Sequence, residues 1–181
     1  MGLLFDKEFD EILSGQIISL IGGLIAGVLL AVYTNNLLLI PAMFILIPGF
    51  LELRGNISGS LSSRISSGLF LDVIKPRFRN DYLLNGNIIA SFILTILISG
   101  ILGLLAFLLE YLLFNIVYIK IVFISILAGV IANVLLIPLS VYLTIYLFRK
   151  GHDPNNFMGP VITAFGDVAS ISSLILAVMV L

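Results

Sequence analysis

Residues 153–181 read DPNNFMGPVITAFGDVASISSLILAVMVL, a polar loop that leads into an apolar run with one carboxylate, Asp167. The fourteen residues after Asp167 carry no charge. A lone ionisable group inside a membrane span is costly and by default indicates a functional site. The alternative is that Asp167 caps a helix by accepting a backbone N–H. Gly159-Pro160, however, predicts the helix start, which places Asp167 roughly 10 Å into the helix at ~1.5 Å per residue and favours function.

The composition of the whole chain is that of a membrane protein. Of its 181 residues, 60% are hydrophobic and 10% are charged. A soluble domain of this size does not need so much apolar surface, so the sequence predicts an all-α, polytopic membrane protein. The net charge of -1 argues against nucleic acid as a partner. The absence of cysteine excludes a disulfide framework and thiolate metal sites.

The hydropathy pattern divides the chain into two parts. Residues 1–13 alternate apolar and charged side chains at helical spacing, which predicts an amphipathic helix on the membrane surface or against the bundle. Residues 14–181 predict one transmembrane domain of five helices, with spans at about 14–34, 37–53, 87–109, 119–148 and 160–181. Gly23 and Gly27 lie four apart in the first span, which favours close contact with another helix. Residues 69–81 predict an interfacial elbow.

Residues 54–68, RGNISGSLSSRISSG, are rich in glycine and serine. Such segments are usually flexible loops. This one contains no proline and continues the helical spacing of the second span. A helix here would carry polar or small residues along one side, namely Glu52, Asn56, Gly59, Ser60 and Ser63. A polar face on a membrane helix must point at protein or water, so we predict a helix on the pore side.

The basic residues predict the orientation. If the N-terminus is cytosolic and five spans follow, only Lys120 lies on the outer side. Since basic residues accumulate in cytosolic loops, the sequence predicts a cytosolic N-terminus and an outer C-terminus. The cytosolic set is Lys7, Arg54, Arg64, Lys75, Arg77, Arg79, Arg149 and Lys150.

The last span carries a second polar stripe. Its members recur at intervals of four, three, four and three, on one helical face: Asn156, Pro160, Thr163, Asp167 and Ser170. Oxygen donors without histidine or cysteine suit hard cations such as Mg²⁺ or Ca²⁺. The one histidine, His152, is interpreted as a loop residue.

One carboxylate per chain is few for a divalent ion. A twofold homodimer would place two Asp167 side chains across one axis. Mg²⁺ keeps several waters and binds through one or two carboxylates, so we expect a wide, hydrated site. No phosphate-binding GxxxxGK[ST] loop is present, which predicts passive or ion-coupled transport without ATP.

Two segments carry a family resemblance. Residues 48–67, PGFLELRGNISGSLSSRISS, resemble the pattern P-x-x-x-x-x-K/R-G-N-x-x-x-x-x-x-S-R-x-S-T of the MgtE magnesium channels and, more closely, of their eukaryotic relatives in solute-carrier family 41. Residues 153–167, DPNNFMGPVITAFGD, resemble the signature D-P-D-N-x-x-x-P-x-x-T-S-x-G-D of the same proteins. The order of the two motifs and their positions in the spans agree with that family.

The resemblance implies a five-helix unit whose second and fifth helices line the ion path, with Mg²⁺ as the transported ion. The aspartate matched by Asp167 holds the cation, and other motif positions lie near the path. The family-41 relatives carry two such units in one chain, which again implies a homodimer here. The candidate cation-site residues are Asp167, Asn56, Thr163, Asn156, Gly55, Ser60, Ser63 and Gly59.

Alternatives to a channel remain open at this stage. Glu52 stands where the relatives usually have a small or apolar residue, and it either pairs with Arg54 or Lys75 or adds a carboxylate; we favour pairing. A cation-coupled exchanger, driven by sodium or protons, could use the same site. A membrane scaffold whose polar stripes only pack helices is also possible. No complete catalytic motif is present, so no enzyme is predicted.

Overall fold

The computed structural model describes residues 7–34, 40–77 and 81–181, and these parts of the chain are helical without any strand. This agrees with the all-α prediction. The predictions for residues 1–6, for the break at 35–36, for the first residues of the second span at 37–39 and for residues 78–80 of the elbow lie outside the described residues. The helices are α1 (Lys7–Val32), α2 (Ala42–Phe70), α3 (Tyr82–Phe114), α4 (Lys120–Arg149) and α5 (Pro154–Val180).

Helix α2 packs against α3, α4 and α5. It is continuous from Ala42 to Phe70, so the glycine- and serine-rich segment is a helix and not a loop. One side of it buries large apolar residues such as Phe50, Leu61 and Ile65. The last three helices are joined by connections of only a few residues, which force antiparallel neighbours.

Four helices of the described chain, namely α1, α3, α4 and α5, are long and apolar enough to cross a membrane. Helix α2 is long enough but contains Glu52, Arg54 and Arg64 together with its serines. The apolar surface suited to contact with lipid lies mainly on α1 and α3. Leu20 and Leu24 of α1 and many leucines and isoleucines of α3 are exposed there.

Side-chain caps determine where the helices begin. Asp81 accepts hydrogen bonds from the backbone N–H of Leu83 (2.9 Å) and Leu84 (3.4 Å) at the start of α3. Asp153 accepts one from Asn155 (2.9 Å), and Pro154 occupies the first position of α5, where its missing N–H has no cost. The predicted helix start at Gly159-Pro160 is therefore wrong.

The earlier start changes the position of Asp167. The residue is thirteen positions beyond Pro154, about 20 Å along the helix at ~1.5 Å per residue. It therefore lies in the interior of α5 and does not cap it.

Helix α1 packs mainly against α5. The predicted amphipathic segment and the first span form one helix from Lys7 to Val32. The glycine that makes the close contact is Gly22, where an added Cβ would lie 2.4 Å from the Cβ and 2.5 Å from the Cα of Ala164. The prediction that Gly23 and Gly27 make this contact is wrong, since an added Cβ at either meets nothing within 4 Å.

The difference in packing between Gly22 and Gly23 allows a matched test of thermal stability. Gly22→Ala should lower the melting temperature of the purified protein by several degrees, because the new methyl group meets helix backbone that cannot move aside; overpacking of this kind costs about 1–3 kcal/mol. Gly23→Ala, one residue further, should leave it unchanged or slightly higher. Circular dichroism melts of both variants in detergent measure the effect. Equal melting temperatures would mean that α1 does not pack on α5 in this register.

Candidate functional site

A groove of about 480 Å³ lies between α2 and α5 and is open on the surface of the helix bundle. It contains both carboxylates that the two helices carry in their middle parts, Asp167 and Glu52. The lining residues are Pro48, Leu51, Glu52, Gly55, Asn56, Gly59, Gly159, Thr163, Gly166 and Asp167. Five of the eight residues predicted from the sequence therefore line one groove: Gly55, Asn56, Gly59, Thr163 and Asp167.

Glycines make the groove wide. An added Cβ at Gly55, Gly59 or Gly159 meets nothing within 4 Å, so at each of these positions the missing side chain leaves open space. Gly166 differs, because its Cβ would reach within 4.0 Å of the Cβ of Arg54. The backbones of α2 and α5 are thus both accessible from the groove. An ion in the groove could approach both helices and the polar side chains that line it.

Asp167 is the half-buried carboxylate of this groove. Its oxygens make no hydrogen bond or ion pair with any other described residue. A carboxylate without a protein partner in a membrane bundle needs water or a cation to stabilise its charge. Asp167 is therefore available as a ligand.

The neighbouring polar groups keep acceptor oxygens free. The Thr163 hydroxyl donates to the carbonyl of Gly159 (3.0 Å), which leaves its lone pairs for a ligand or water. The Asn56 amide nitrogen donates to Oε1 of Glu52 (3.2 Å), so its carbonyl oxygen remains an acceptor. The groove thus offers carboxylate, amide and hydroxyl oxygens, the donor set that hard cations prefer.

Glu52 is an exposed residue on the α2 side of the groove. Among the described residues no ion pair joins it to Arg54 or Lys75, so the favoured pairing is wrong. Arg54 points away from it, toward α3 and α4. Glu52 is therefore the second carboxylate of the groove.

The other predicted residues lie elsewhere. Ser60 lines a second, mostly apolar groove of about 450 Å³ between α2 and α3, which also touches Glu52 and Asn56. Ser63 is exposed and lines neither groove. Asn156 donates to Oε2 of Glu11 (3.1 Å) on α1 and does not line the groove with Asp167.

The loop histidine has a partner that the sequence did not indicate. His152 lies between α4 and α5, and its Nδ1 is 2.8 Å from Oε1 of Glu11, whose side chain is almost fully buried. Together with Asn156 this cluster joins the first half of α1 to the start of α5. The contact is consistent with a structural role for both Asn156 and His152.

A set of polar groups that the sequence did not indicate is buried between α2, α3 and α4. Ser62 and Thr144 share a hydrogen bond of 2.7 Å, Asn133 donates to Thr95, and Ser125 donates to the carbonyl of Ser99 (2.7 Å). The buried polar residues of α2 lie at intervals of four: Arg54, Ser58, Ser62 and Ser66. That spacing was visible in the sequence, but the opposite side of the helix also carried polar residues.

Glu110 is a further buried acid that was not predicted. It lies on α3, is fully buried, and accepts the backbone N–H of Ala42 through Oε1 (3.1 Å). Pro41 precedes α2 and offers no side-chain cap, so Glu110 supplies the missing acceptor from a neighbouring helix. Its carboxylate also interacts favourably with the positive end of the α2 dipole.

Within the described residues, no three His, Asp or Glu side chains come together as a ready metal cluster. Asp167 and Glu52 are two carboxylates per chain in an open groove. A divalent ion that keeps most of its water needs only one or two such ligands.

The fold and the groove define a class: a multi-helix membrane protein with oxygen donors gathered where two helices meet. A family model described as MgtE, divalent cation transporter, matches residues 47–177, which include α3 and α4 and most of α2 and α5. The chain therefore belongs to the MgtE family of divalent cation transporters, which are transporters and not enzymes. No curated protein and no solved structure matches the chain.

Proposed function

We propose that this protein carries Mg²⁺ or a similar divalent cation across the cell membrane through a pore lined by α2 and α5 of two identical chains. The observation that carries this proposal is the groove that Asp167, Asn56 and Thr163 line together. The family match supports divalent cations as the substrate. Asp167 is the principal ligand, and the amide and hydroxyl oxygens accept hydrogen bonds from the waters of the ion.

The open side of the groove supports a dimer. In a membrane, the exposed Glu52, Asn56 and Thr163 would otherwise face lipid, which is costly for polar and charged groups. A second chain related by a twofold axis would close the groove and bring the two Asp167 carboxylates to opposite sides of one path. Helix α2 would then cross the membrane in addition to α1, α3, α4 and α5, and it would be surrounded by protein and water and not by lipid.

The dimensions of the groove suit a hydrated ion. Six waters in an octahedral shell, at ~30 Å³ each, occupy about 180 Å³, less than the 480 Å³ of one groove. The donors include no histidine or cysteine, which favours Mg²⁺ and other hard cations over softer metals. The ion would therefore pass with most of its water retained.

The distribution of basic residues supports the orientation of the chain, and the membrane potential supports inward movement of the ion. A cytosolic N-terminus places the α4–α5 connection, with Arg149 and Lys150, on the same side. A negative-inside potential would then favour entry of a divalent ion by about 4.6 kcal/mol per 100 mV, from ~2.3 kcal/mol per charge.

Uptake of Mg²⁺ into proteoliposomes tests the function. The full chain should produce uptake above that of protein-free liposomes, increased by an inside-negative potential. Uptake that persists without sodium and proton gradients supports a channel, whereas loss on removing one gradient indicates an exchanger that uses the same site. A folded protein without uptake under any of these conditions would leave only a scaffold role.

Cross-linking tests the dimer, because the chain has no native cysteine. Thr163→Cys should form a disulfide-linked dimer in membranes under mild oxidation, since Thr163 lies at the groove. Phe165→Cys is the control: Phe165 is also exposed, but two residues turn a helix by about 200°, so it should remain monomeric on a non-reducing gel. Efficient dimer formation by Phe165→Cys alone would place the interface on the other side of α5.

A further inference from the structure

Arg54 is the largest fully buried side chain of the described residues, and it lies where α2 meets three other helices. Its Nη1 donates to the carbonyl of Gly129 on α4 (2.8 Å), and its Nη2 donates to Oγ of Ser99 on α3 (3.2 Å). The guanidinium carbon lies 4.6 Å from the ring centroid of Phe50, a cation–π contact. Its Nε has no hydrogen-bond partner.

No carboxylate of the described residues forms an ion pair with Arg54. A buried charge without an opposite charge is costly, and three neutral contacts compensate this cost only in part. The charge is therefore not explained by packing alone. An apolar side chain such as Met could fill the same volume without the desolvation cost.

Arg54 lies directly behind the groove. On α2, Glu52, two residues before Arg54, and Gly55, directly after it, both line the groove. On α5, Gly166 precedes Asp167, and a Cβ added at Gly166 would lie 4.0 Å from the Cβ of Arg54. A fixed positive charge in this low-dielectric position acts on any ion in the groove.

The number of charges at the groove suggests what the buried charge of Arg54 does. Each chain places two carboxylates, Asp167 and Glu52, in the groove. It places one guanidinium, that of Arg54, in the bundle behind the groove, directed toward α3 and α4. In the dimer, four carboxylates and two guanidiniums leave two negative charges, which one divalent ion neutralises. Without the arginines, four carboxylates would hold a divalent ion too firmly for release, and conduction requires binding that is weak enough to leave.

We propose that Arg54 is the residue that sets the cation affinity of the groove, because its fixed charge offsets the extra carboxylate of Glu52. This proposal rests on the proposed transport function. It assigns Arg54 a role through the field at the ion and not through contact with it.

The test measures Mg²⁺ uptake into proteoliposomes at rising Mg²⁺ concentration, for the full chain. Arg54→Met should lower the half-saturating concentration about tenfold and also lower the maximal rate, since a tighter site releases its ion more slowly. Arg54→Lys keeps the charge, and Ser99→Ala removes one contact of Arg54 without changing charge. Both should stay within about twofold of the parent protein in half-saturating concentration.

Charge balance gives a second, independent measurement. Glu52→Gln lies at an exposed position and should raise the half-saturating concentration, whereas the double variant Glu52→Gln with Arg54→Met should return toward the parent value. Hexaamminecobalt(III) serves as a trivalent competitor of Mg²⁺ uptake. Its half-inhibitory concentration should shift by about 1.5 times as many decades as the half-saturating concentration of Mg²⁺ in each variant, because Coulomb energy is proportional to the charge of the ion.

The proposal is overturned if Arg54→Met leaves the half-saturating concentration unchanged or raises it, or if Arg54→Lys and Ser99→Ala change it as much. If Arg54→Met does not fold, a Glu52→Gln variant with unchanged affinity overturns it instead. In all these cases the parent protein still takes up Mg²⁺ and the transport function stands. Absence of uptake by the parent protein would contradict the transport function itself.

Discussion

Asp167→Asn is expected to reduce divalent cation uptake to the level of protein-free liposomes. The change removes one negative charge from each chain, and therefore both carboxylates that would face the ion at the dimer axis. Asparagine has the same shape, and the Asp167 carboxylate makes no bond to another described residue that the change could break. The fold and the dimer should therefore persist while the ion loses its principal ligand.

The matched control is Asp72→Asn. Asp72 is exposed in the connection after α2 and has a positive φ of 56°, a conformation that asparagine adopts readily. This variant removes the same charge outside the groove and should transport like the parent protein. Uptake that survives Asp167→Asn, measured beside a folded and dimeric control, would exclude Asp167 as the essential ligand.

Filling the groove is expected to have the second largest effect. Gly55 faces open space, so Gly55→Ala should fold well, and Gly55→Leu should place a branched side chain where the hydrated ion would pass. Uptake should decrease from glycine to alanine to leucine, and reach background with leucine. Thermal stability should not fall, because glycine inside a helix costs about 1 kcal/mol relative to alanine.

Gly23→Leu provides the control for side-chain size. Gly23 is also open, but it lies on α1 and not at the groove. This variant should keep full uptake at the same expression level, with dimer content measured by light scattering for all variants. If Gly55→Leu transports as fast as Gly23→Leu, the groove between α2 and α5 is not the ion path.

The continuity of α2 and its polar side could be predicted from the sequence, because helical spacing is a local property. The position of Gly22 could not. Helix α1 is apolar on nearly every side, so the sequence does not indicate which of two adjacent glycines faces α5, and an error of one residue turns the face by about 100°. Only the packing of α1 on Ala164 identifies Gly22.

The start of α5 was missed for a different reason. Both Asp153-Pro154 and Gly159-Pro160 are reasonable start signals, and a proline inside a helix usually indicates a boundary. The hydrogen bond from Asn155 to the Asp153 side chain makes the first signal the actual start. Pro160 is accommodated within the helix.

The environment of the three central charged residues, Arg54, Glu52 and Asp167, depends on contacts between distant parts of the chain. The partners of Arg54 are 45 and 75 residues away in sequence, so spacing along α2 could not show that it turns from Glu52 toward α3 and α4. Likewise, Glu52 and Asp167 share a groove only because α2 packs on α5. Sequence motifs indicated Asp167, whereas only the packed structure distinguished between the two alternatives for Glu52.

The position of the bound ion is the most direct test of the proposed cation site between the two Asp167 carboxylates. Mn²⁺ is a suitable probe, because it prefers the same oxygen ligands as Mg²⁺ and scatters X-rays anomalously. Crystals of the dimer grown with Mn²⁺ should show an anomalous peak on the twofold axis between the two Asp167 carboxylates. A peak elsewhere with none between these residues, or Asp167 side chains that face lipid, would contradict the proposed site.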